Sequence, residues 1–328
     1  MAFLLFIIFL CLYNNNGNAK VCFCSNAFIC NKLGLSRRKN DFLKLWQIFT
    51  QVACMRVISV ANIAIYTTQS GGWVFNIEEF DIKLDTEVIG RSFIYCDEVD
   101  STNSLLLTSK EFNNHGTVIL AEHQKHGRGR KNREWFSNSG QNLTFSILLK
   151  GEFEQTRVNL INLGAAVSVA QALENLFQLN VELKWPNDVL IQKKKLCGIL
   201  LESTSKGDKL NKIVVGIGIN VNQPNFPGKF DIPPTSIRKE FHEEVSRERL
   251  LSEILNNFEK IIELSENNPS KILDDWRSRC KMIGEKVKVV EGDQAKFGIF
   301  QDIDTDGFML LKVGEKLVKI HYGDVSIR

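Results

Sequence analysis

The sequence predicts an α+β fold: a mixed or antiparallel sheet with flanking helices, followed by a small β-barrel. Three observations carry this expectation. Strand-like runs VELKW (Val181 to Trp185), VLIQ (Val189 to Gln192), LCGILLES (Leu196 to Ser203) and KIVVGIGINV (Lys212 to Val221) follow one another across turns too short for crossover helices. Two long segments, Val158 to Leu179 and Ser246 to Asn267, repeat apolar residues at three- and four-residue steps and read as amphipathic helices. From Gly284 the texture changes to short alternating runs separated by Gly, Asp and Lys, the pattern of a small barrel.

In chain order, the first segment is unlike the rest. Ala2 to Tyr13 is an apolar run of signal-core length, too short to span a bilayer, and Gly17 and Ala19 supply a small-x-small site after it. Between Lys20 and Asn76 there are seven Lys or Arg and one acid, Asp41, so residues 1–75 read as a leader or disordered extension. No basic residue precedes the apolar run, and a plain extension or a mis-set start codon leaves the same signature. The expected location is cytoplasmic, with organelle targeting through residues 1–75 as the alternative. Five of the eight cysteines fall in that segment, and Cys96, Cys197 and Cys280 are widely spaced beyond it. This argues against a disulfide framework and for free thiols.

Phe93 to Val99 begins as a strand and breaks at Asp100-Ser101-Thr102, good N-cap chemistry for the helix that SLLLTSKEF predicts. Thr117 to Gln124 and Asn142 to Lys150 are the next strands, and a short helix, Ser270 to Lys281, follows the second long one. Composition agrees with a globular chain of about two domains: 44% hydrophobic and 24% charged residues exclude wholesale disorder and a multi-span membrane protein. A net charge of +3 is too small to mark a nucleic-acid binder.

The most informative stretch is EHQKHGRGRKNREWFS, Glu122 to Ser137. Gly127-Arg128-Gly129-Arg130 makes a loop whose backbone approaches a ligand closely while guanidiniums grip phosphate or carboxylate oxygens. Alone, such a loop also fits an RNA-binding element or a solvated turn. His123 and His126 straddle three residues but lack a nearby third ligand, so a solvent-facing pair is expected and no dedicated metal site.

The loop is followed by KWPNDVL (Lys184 to Leu190), KKLCGILLES (Lys194 to Ser203) and VVGIGINVN (Val214 to Asn222), and preceded by DSTN (Asp100 to Asn103); GQNLTFS (Gly140 to Ser146) lies between. In this order the motifs, with the terminal GDVSIR, resemble the biotin protein ligase family, bacterial type, from about Phe75 to Arg328. The resemblance implies a class II synthetase-like biotin/lipoate ligase catalytic domain at 76–281 and an SH3-like barrel at 282–328. It implies that Ser101, Thr102, Asn103 and Gln124 line a biotin pocket, whose ureido group must find both donors and acceptors when buried. Arg128, Gly129 and Arg130 resemble the loop that closes over biotin and its adenylate, and Lys195 resembles the lysine beside carboxylate and α-phosphate; Lys195 and Arg130 are the expected catalytic pair. Trp135 resembles the aromatic that packs on adenine, with Asn187, Asp188 and Asn220 orienting the nucleotide or its Mg²⁺.

ATP with Mg²⁺ and biotin are therefore the expected co-substrates. A biotin carboxyl carrier protein or domain is the expected partner, without DNA or membrane and with a homodimer as one option. Asn132 stands where many bacterial members have Gly, Cys197 where small residues are usual, and nothing before residue 75 shows a helix-turn-helix pattern. A lipoate or octanoyl ligase predicts a different Arg-Arg and Gly-Gly-Gly loop. A non-enzymatic biotin-binding regulator is weighed against by the intact Lys195 and both loop arginines.

Overall fold

A computed structural model describes residues 56–60, 63–67 and 75–327. The expectations of an apolar leader core and of free thiols before residue 55 lie outside the described residues.

A nine-stranded mixed sheet forms the body. Its strands are β1 (Arg56–Val60), β2 (Ile63–Thr67), β3 (Phe93–Val99), β4 (Val118–Gln124), β5 (Leu143–Phe153), β6 (Val181–Lys184), β7 (Asp188–Ile191), β8 (Lys194–Lys206) and β9 (Lys209–Ile219), in the spatial order β1-β2-β3-β4-β5-β9-β8-β7-β6. The β2–β3 and β3–β4 pairs are parallel and the others antiparallel. Two of the strands, β1 and β2, fall within the span assigned to the leader, so the sheet begins before Phe75.

Side chains alternate across the pleat, and the two faces bury different things. Phe93, Tyr95, Val118, Leu120, Phe145, Ile147, Val215, Ile217 and Ile219 belong to the large core. It is covered by α3 (Arg157–Phe177), α5 (Arg247–Asn267) and α6 (Pro269–Arg279). Their neighbours Ile94, Cys96, Ile119, Leu148 and Val214 form a smaller cluster closed by Leu106 of α2 (Thr102–Thr108). Two short helices complete the layer, α1 (Ile77–Lys83) and α4 (Ile237–Phe241). Helix α3 is long and apolar enough to cross a membrane, yet most of it is buried as the central core helix.

Gly164 in α3 lets α5 approach: a Cβ there would lie 2.4 Å from Ile261 Cγ2. Gly164→Ala gains up to about 1 kcal/mol of helix propensity but overpacks a closed contact, which typically costs about 1–3 kcal/mol. The expected net result is a lower urea midpoint, and an unchanged or raised midpoint would show that the helices can part.

The last domain is a five-stranded antiparallel sheet, order β13-β12-β11-β10-β14, made of β10 (Lys286–Glu291), β11 (Gln294–Ile303), β12 (Met309–Val313), β13 (Lys316–Ile320) and β14 (Asp324–Ile327). The run KLVKIHYGDVSI, which reads as one strand, is two, broken at Gly323 with φ +150. The barrel docks through the turn at Gly307, whose carbonyl accepts the buried Trp185 indole N–H at 3.1 Å. Gly307 has φ +80, and a Cβ on it would meet Leu163 Cδ1 at 2.8 Å.

The three cysteines beyond residue 75 are buried and unpaired. Burial pushes the Cys96 thiol up to about 12 and the Cys280 thiol up to about 11, and raises Cys197 as well, so all three stay protonated at neutral pH.

Candidate functional site

The face of β5, β9, β8 and β7 opposite the helical core is nearly bare toward one end. There the alternation places Gly216 and Gly218 on β9, Gly198 on β8 and Thr144 and Ser146 on β5. The space that missing side chains leave is occupied. A Cβ on Gly216 would stand 2.3 Å from Asn103 Oδ1, and one on Gly218 2.3 Å from the Trp135 ring. The glycines therefore form a floor on which an amide and an indole lie flat against the backbone.

Lys195 reaches this face through a break in the ladder. Between β7 and β8 the register shifts, Val189 pairing with Cys197 and Leu190 with Lys195. Leu196 and Cys197 both enter the core while Lys195 turns outward, the re-aiming that a bulge provides. Its backbone is held on the other side by the loop after Val221: Lys195 N–H donates to Pro233 O at 2.8 Å, and its carbonyl accepts from Thr235 N–H at 2.9 Å. The ammonium lies 2.6 Å from Asp188 Oδ1, and Lys184 Nζ lies 3.6 Å from Asp188 Oδ2. One buried carboxylate thus stands between two lysines. Burial lowers the Lys184 ammonium below the ordinary lysine range, against the pull of Asp188.

At the other end of the floor, Ser101 caps α2 by accepting from Ser104 N–H at 3.4 Å. Gln124 Oε1 accepts from Thr102 N–H at 2.8 Å and from its hydroxyl at 3.0 Å, which leaves the Gln124 NH₂ as the end that can meet a ligand carbonyl. Asn103 is committed to the protein at both ends. Its NH₂ donates to Leu200 O at 3.1 Å and Glu202 Oε2 at 2.8 Å, and its oxygen accepts from the Ser146 hydroxyl at 2.6 Å. It braces the pocket wall across three strands. The buried Asn220 side chain donates to the loop carbonyl of Thr235 at 2.9 Å.

Beneath this wall is a buried ion pair. Arg247 of α5 donates from Nη1 to Glu122 Oε2 at 2.8 Å and from Nη2 to Glu122 Oε1 at 2.9 Å, and both side chains are almost fully enclosed. Tyr95 and Gly140 N–H donate to the same carboxylate. Burial and the adjacent Glu122 charge raise the Tyr95 phenol, which keeps it a donor.

The basic loop folds back as a small hairpin. Trp135 N–H donates to Gly127 O at 2.9 Å and Gly129 N–H to Arg133 O at 2.7 Å. Gly127 is required, since a Cβ would lie 2.5 Å from the Trp135 carbonyl; Gly129 has room, its nearest contact being at 3.6 Å. Arg128 donates to the Ser104 hydroxyl at 2.8 Å and to Glu202 at 3.3 Å. Arg130 donates to Asn187 Oδ1 at 3.4 Å and to Gly323 O at 3.1 Å, and burial lowers its guanidinium from the ordinary range. Asn187 in turn donates to Ile199 O at 2.6 Å. The Trp135 indole N–H is buried without a partner among the described residues.

All twelve residues singled out from the sequence line one cavity of about 1580 Å³: Ser101, Thr102, Asn103, Gln124, Arg128, Gly129, Arg130, Trp135, Asn187, Asp188, Lys195 and Asn220. Ten Lys or Arg and six Asp or Glu line it, an excess of positive charge suited to an anionic ligand. Sequence reasoning missed Lys184, Glu202 and Asp324. Each sits inside a quoted motif, but nothing in a strand sequence tells which carboxylate will face a cation from another element. His126 lies 3.7 Å from Asp100 with both side chains largely exposed.

The chain is similar to known proteins over most of its described length. The Biotin/lipoate A/B protein ligase family matches residues 95–220, and the Biotin protein ligase C terminal domain matches residues 282–328. The bifunctional ligase/repressor BirA of Bacillus subtilis is 34% identical over 258 residues, covering 76% of this chain and 78% of that one. The biotin–[acetyl-CoA-carboxylase] ligase of Mycobacterium tuberculosis is 33% identical over 216 residues, 64% of this chain and 78% of that one. Among solved structures, the biotin protein ligase from Aquifex aeolicus in complex with biotin and ATP aligns with a TM-score of 0.63 and 33% identity, covering 72% of this chain and 98% of that chain. Fold, cavity and matched segments define a ligase of the biotin/lipoate class. Within that class the chain belongs to the biotin protein ligase family.

Proposed function

We propose that this ligase joins biotin to ATP and then passes the biotinyl group to a lysine of a biotin carboxyl carrier domain. The observation that carries the reading is the convergence of Lys195, Arg130, Thr102 and Gln124 on one cavity closed by the basic loop. The structure named from Aquifex aeolicus, with biotin and ATP bound, supports the choice of co-substrates, and the name of the Mycobacterium tuberculosis relative supports a carboxylase as acceptor.

In the first half-reaction a biotin carboxylate oxygen attacks the α-phosphorus, and the bond to pyrophosphate breaks. Two anions must meet, and Lys195, fixed by its backbone on both sides, supplies a charge between them. The ureido ring is assigned to the Ser101, Thr102 and Gln124 end. Gln124 NH₂ and the Ser101 hydroxyl offer donors to its carbonyl, while Asn103 keeps the wall in register. Trp135 on its glycine floor gives adenine a flat apolar surface. Asp188 is the hard oxygen donor that would meet a Mg²⁺ arriving with the triphosphate, where the ion would offset phosphate charge. In the second half-reaction the neutral acceptor amine attacks the acyl carbon and AMP leaves, so the closed loop must keep water out until the acceptor arrives.

Labelled biotin, Mg-ATP and a carrier domain mixed with the protein are expected to give labelled carrier; an unlabelled carrier that instead receives lipoate or octanoate would overturn the assignment. Arg130→Gly removes charged hydrogen bonds of about 1.5–3 kcal/mol from the closed loop, so escape of biotinyl-AMP into solution is expected to rise about ten- to a hundredfold relative to transfer. The check is biotin recovered on bystander proteins rather than on the carrier.

A further inference from the structure

The two ends of the basic loop rest on the sheet side through Arg128 and Trp135, whereas its tip is fastened mainly to the barrel. Three of its four cations converge on one carboxylate there. Arg133 Nη2 lies 2.7 Å from Asp324 Oδ2, Lys131 Nζ 3.2 Å from the same oxygen, and Arg130 Nη1 3.5 Å from Oδ1. Neighbouring barrel carbonyls add to the hold: Gly323 O accepts from Arg130 at 3.1 Å and Val290 O from Lys131 at 3.4 Å. Burial pushes the Asp324 carboxyl up, but the three cations outweigh it and keep it below the usual carboxylate range.

This is unlike an isolated surface pair, which contributes little. The carboxylate is only 26% exposed, and its partners form a network. The loop also holds Lys131 at φ +56, a left-handed conformation that disfavours a residue with a side chain and that surrounding contacts must offset. Charge balance points the same way. Asp231 also lies 3.6 Å from Arg133 Nη2, and two carboxylates against three cations still leave net positive charge at the mouth of the cavity, so Asp324 can anchor the loop without neutralising it toward phosphate.

We propose that Asp324 is the mooring of the lid, a positioning residue through which the barrel holds the loop 127–135 closed and so retains the reactive adenylate. This rests on the ligase reading above, and the test separates the two. In the full chain, Asp324→Asn is compared with wild type and with Asp324→Glu. Backbone hydrogen exchange without ligands is expected to quicken in residues 127–135 of Asp324→Asn while β10–β12 keep their protection. With biotin, Mg-ATP and hydroxylamine as a small nucleophile, the ratio of biotin hydroxamate to biotinylated carrier is expected to rise about tenfold, the size of one lost charged hydrogen bond. Asp324→Glu should restore most of both. If wild type forms no biotinyl-AMP, the ligase reading fails and the exchange measurement alone decides the mooring. If wild type forms it and Asp324→Asn shows unaltered loop exchange and an unaltered ratio, the mooring is wrong. Loss of protection throughout the barrel would also overturn it, because Asp324 would then be holding the domain together rather than the loop.

Discussion

Lys195→Ala is expected to slow biotinyl-AMP formation by about a hundred- to a thousandfold, the usual effect of removing one preorganised charge donor from a reacting centre. Asp188 makes the loss sharper. Its carboxylate faces Lys195 at 2.6 Å and Lys184 at 3.6 Å, so the variant keeps the negative charge but loses its nearer counterion. An anionic substrate then meets repulsion where it had met attraction, and the Michaelis constants for biotin and ATP should rise as the rate falls. Lys195→Arg should not restore the rate, because a planar fork cannot take the place of a compact ammonium at this depth. Single-turnover release of pyrophosphate measures the step directly. Turnover within about threefold of wild type, a barrier change under about 1 kcal/mol, would place the phosphate contact elsewhere.

The largest effect on stability is expected at Arg247. Removing one partner of a buried, multiply hydrogen-bonded pair leaves the other charge without compensation, at a cost of about 3–5 kcal/mol. Arg247→Ala strands Glu122, which retains only Tyr95 and Gly140 N–H as donors, and withdraws the bond from Arg247 Nη1 to Asn142 O at 3.0 Å. That amounts to a large share of the stability of an ordinary domain, and urea unfolding should report it. Replacing both members, Glu122→Gln with Arg247→Met, should recover much of the loss, since it is the unpaired charge and not the missing contact that destabilises. A double variant no better than the single would show that the pair specifies local geometry instead. Glu122 begins the segment that ends in Gln124 and the loop, so the single variant should also weaken biotin binding.

Much of this was legible in the sequence because apolar periodicity reports burial. The short apolar runs in Asn142 to Lys150 and Lys212 to Val221 marked buried strands, and the stripes in α3 and α5 marked helices over them. Where both faces are solvated there is no alternation, and the outer part of the β8–β9 hairpin, Thr204 to Lys209 around the turn at Gly207, was missed for that reason. The short helices α1 and α4 went unseen because each has only a single fully buried residue, Phe80 or Ile237. The twelve site residues were legible as spaced motifs, but their division of labour was not. Asn103 also ties β5 to β8, and Asn220 holds the loop at Thr235, bonds the sequence does not announce because which end of an amide is already satisfied depends on residues such as Glu202 and Thr235 that are distant in sequence.

The turn at Gly307 has an evolutionary corollary. A glycine in the left-handed region is pressed against Leu163 and receives the indole hydrogen of Trp185, one residue before the Pro186-Asn187-Asp188 corner of the cavity. The carboxy-terminal module is therefore keyed into the body like a tenon into its mortise. Exchanging it for that of a relative would succeed only where the donor brings a bare, reversed turn at the same place; any other graft would jar that corner of the cavity. Lineages that trade one half of the molecule are thus constrained to change the joint on both sides at once.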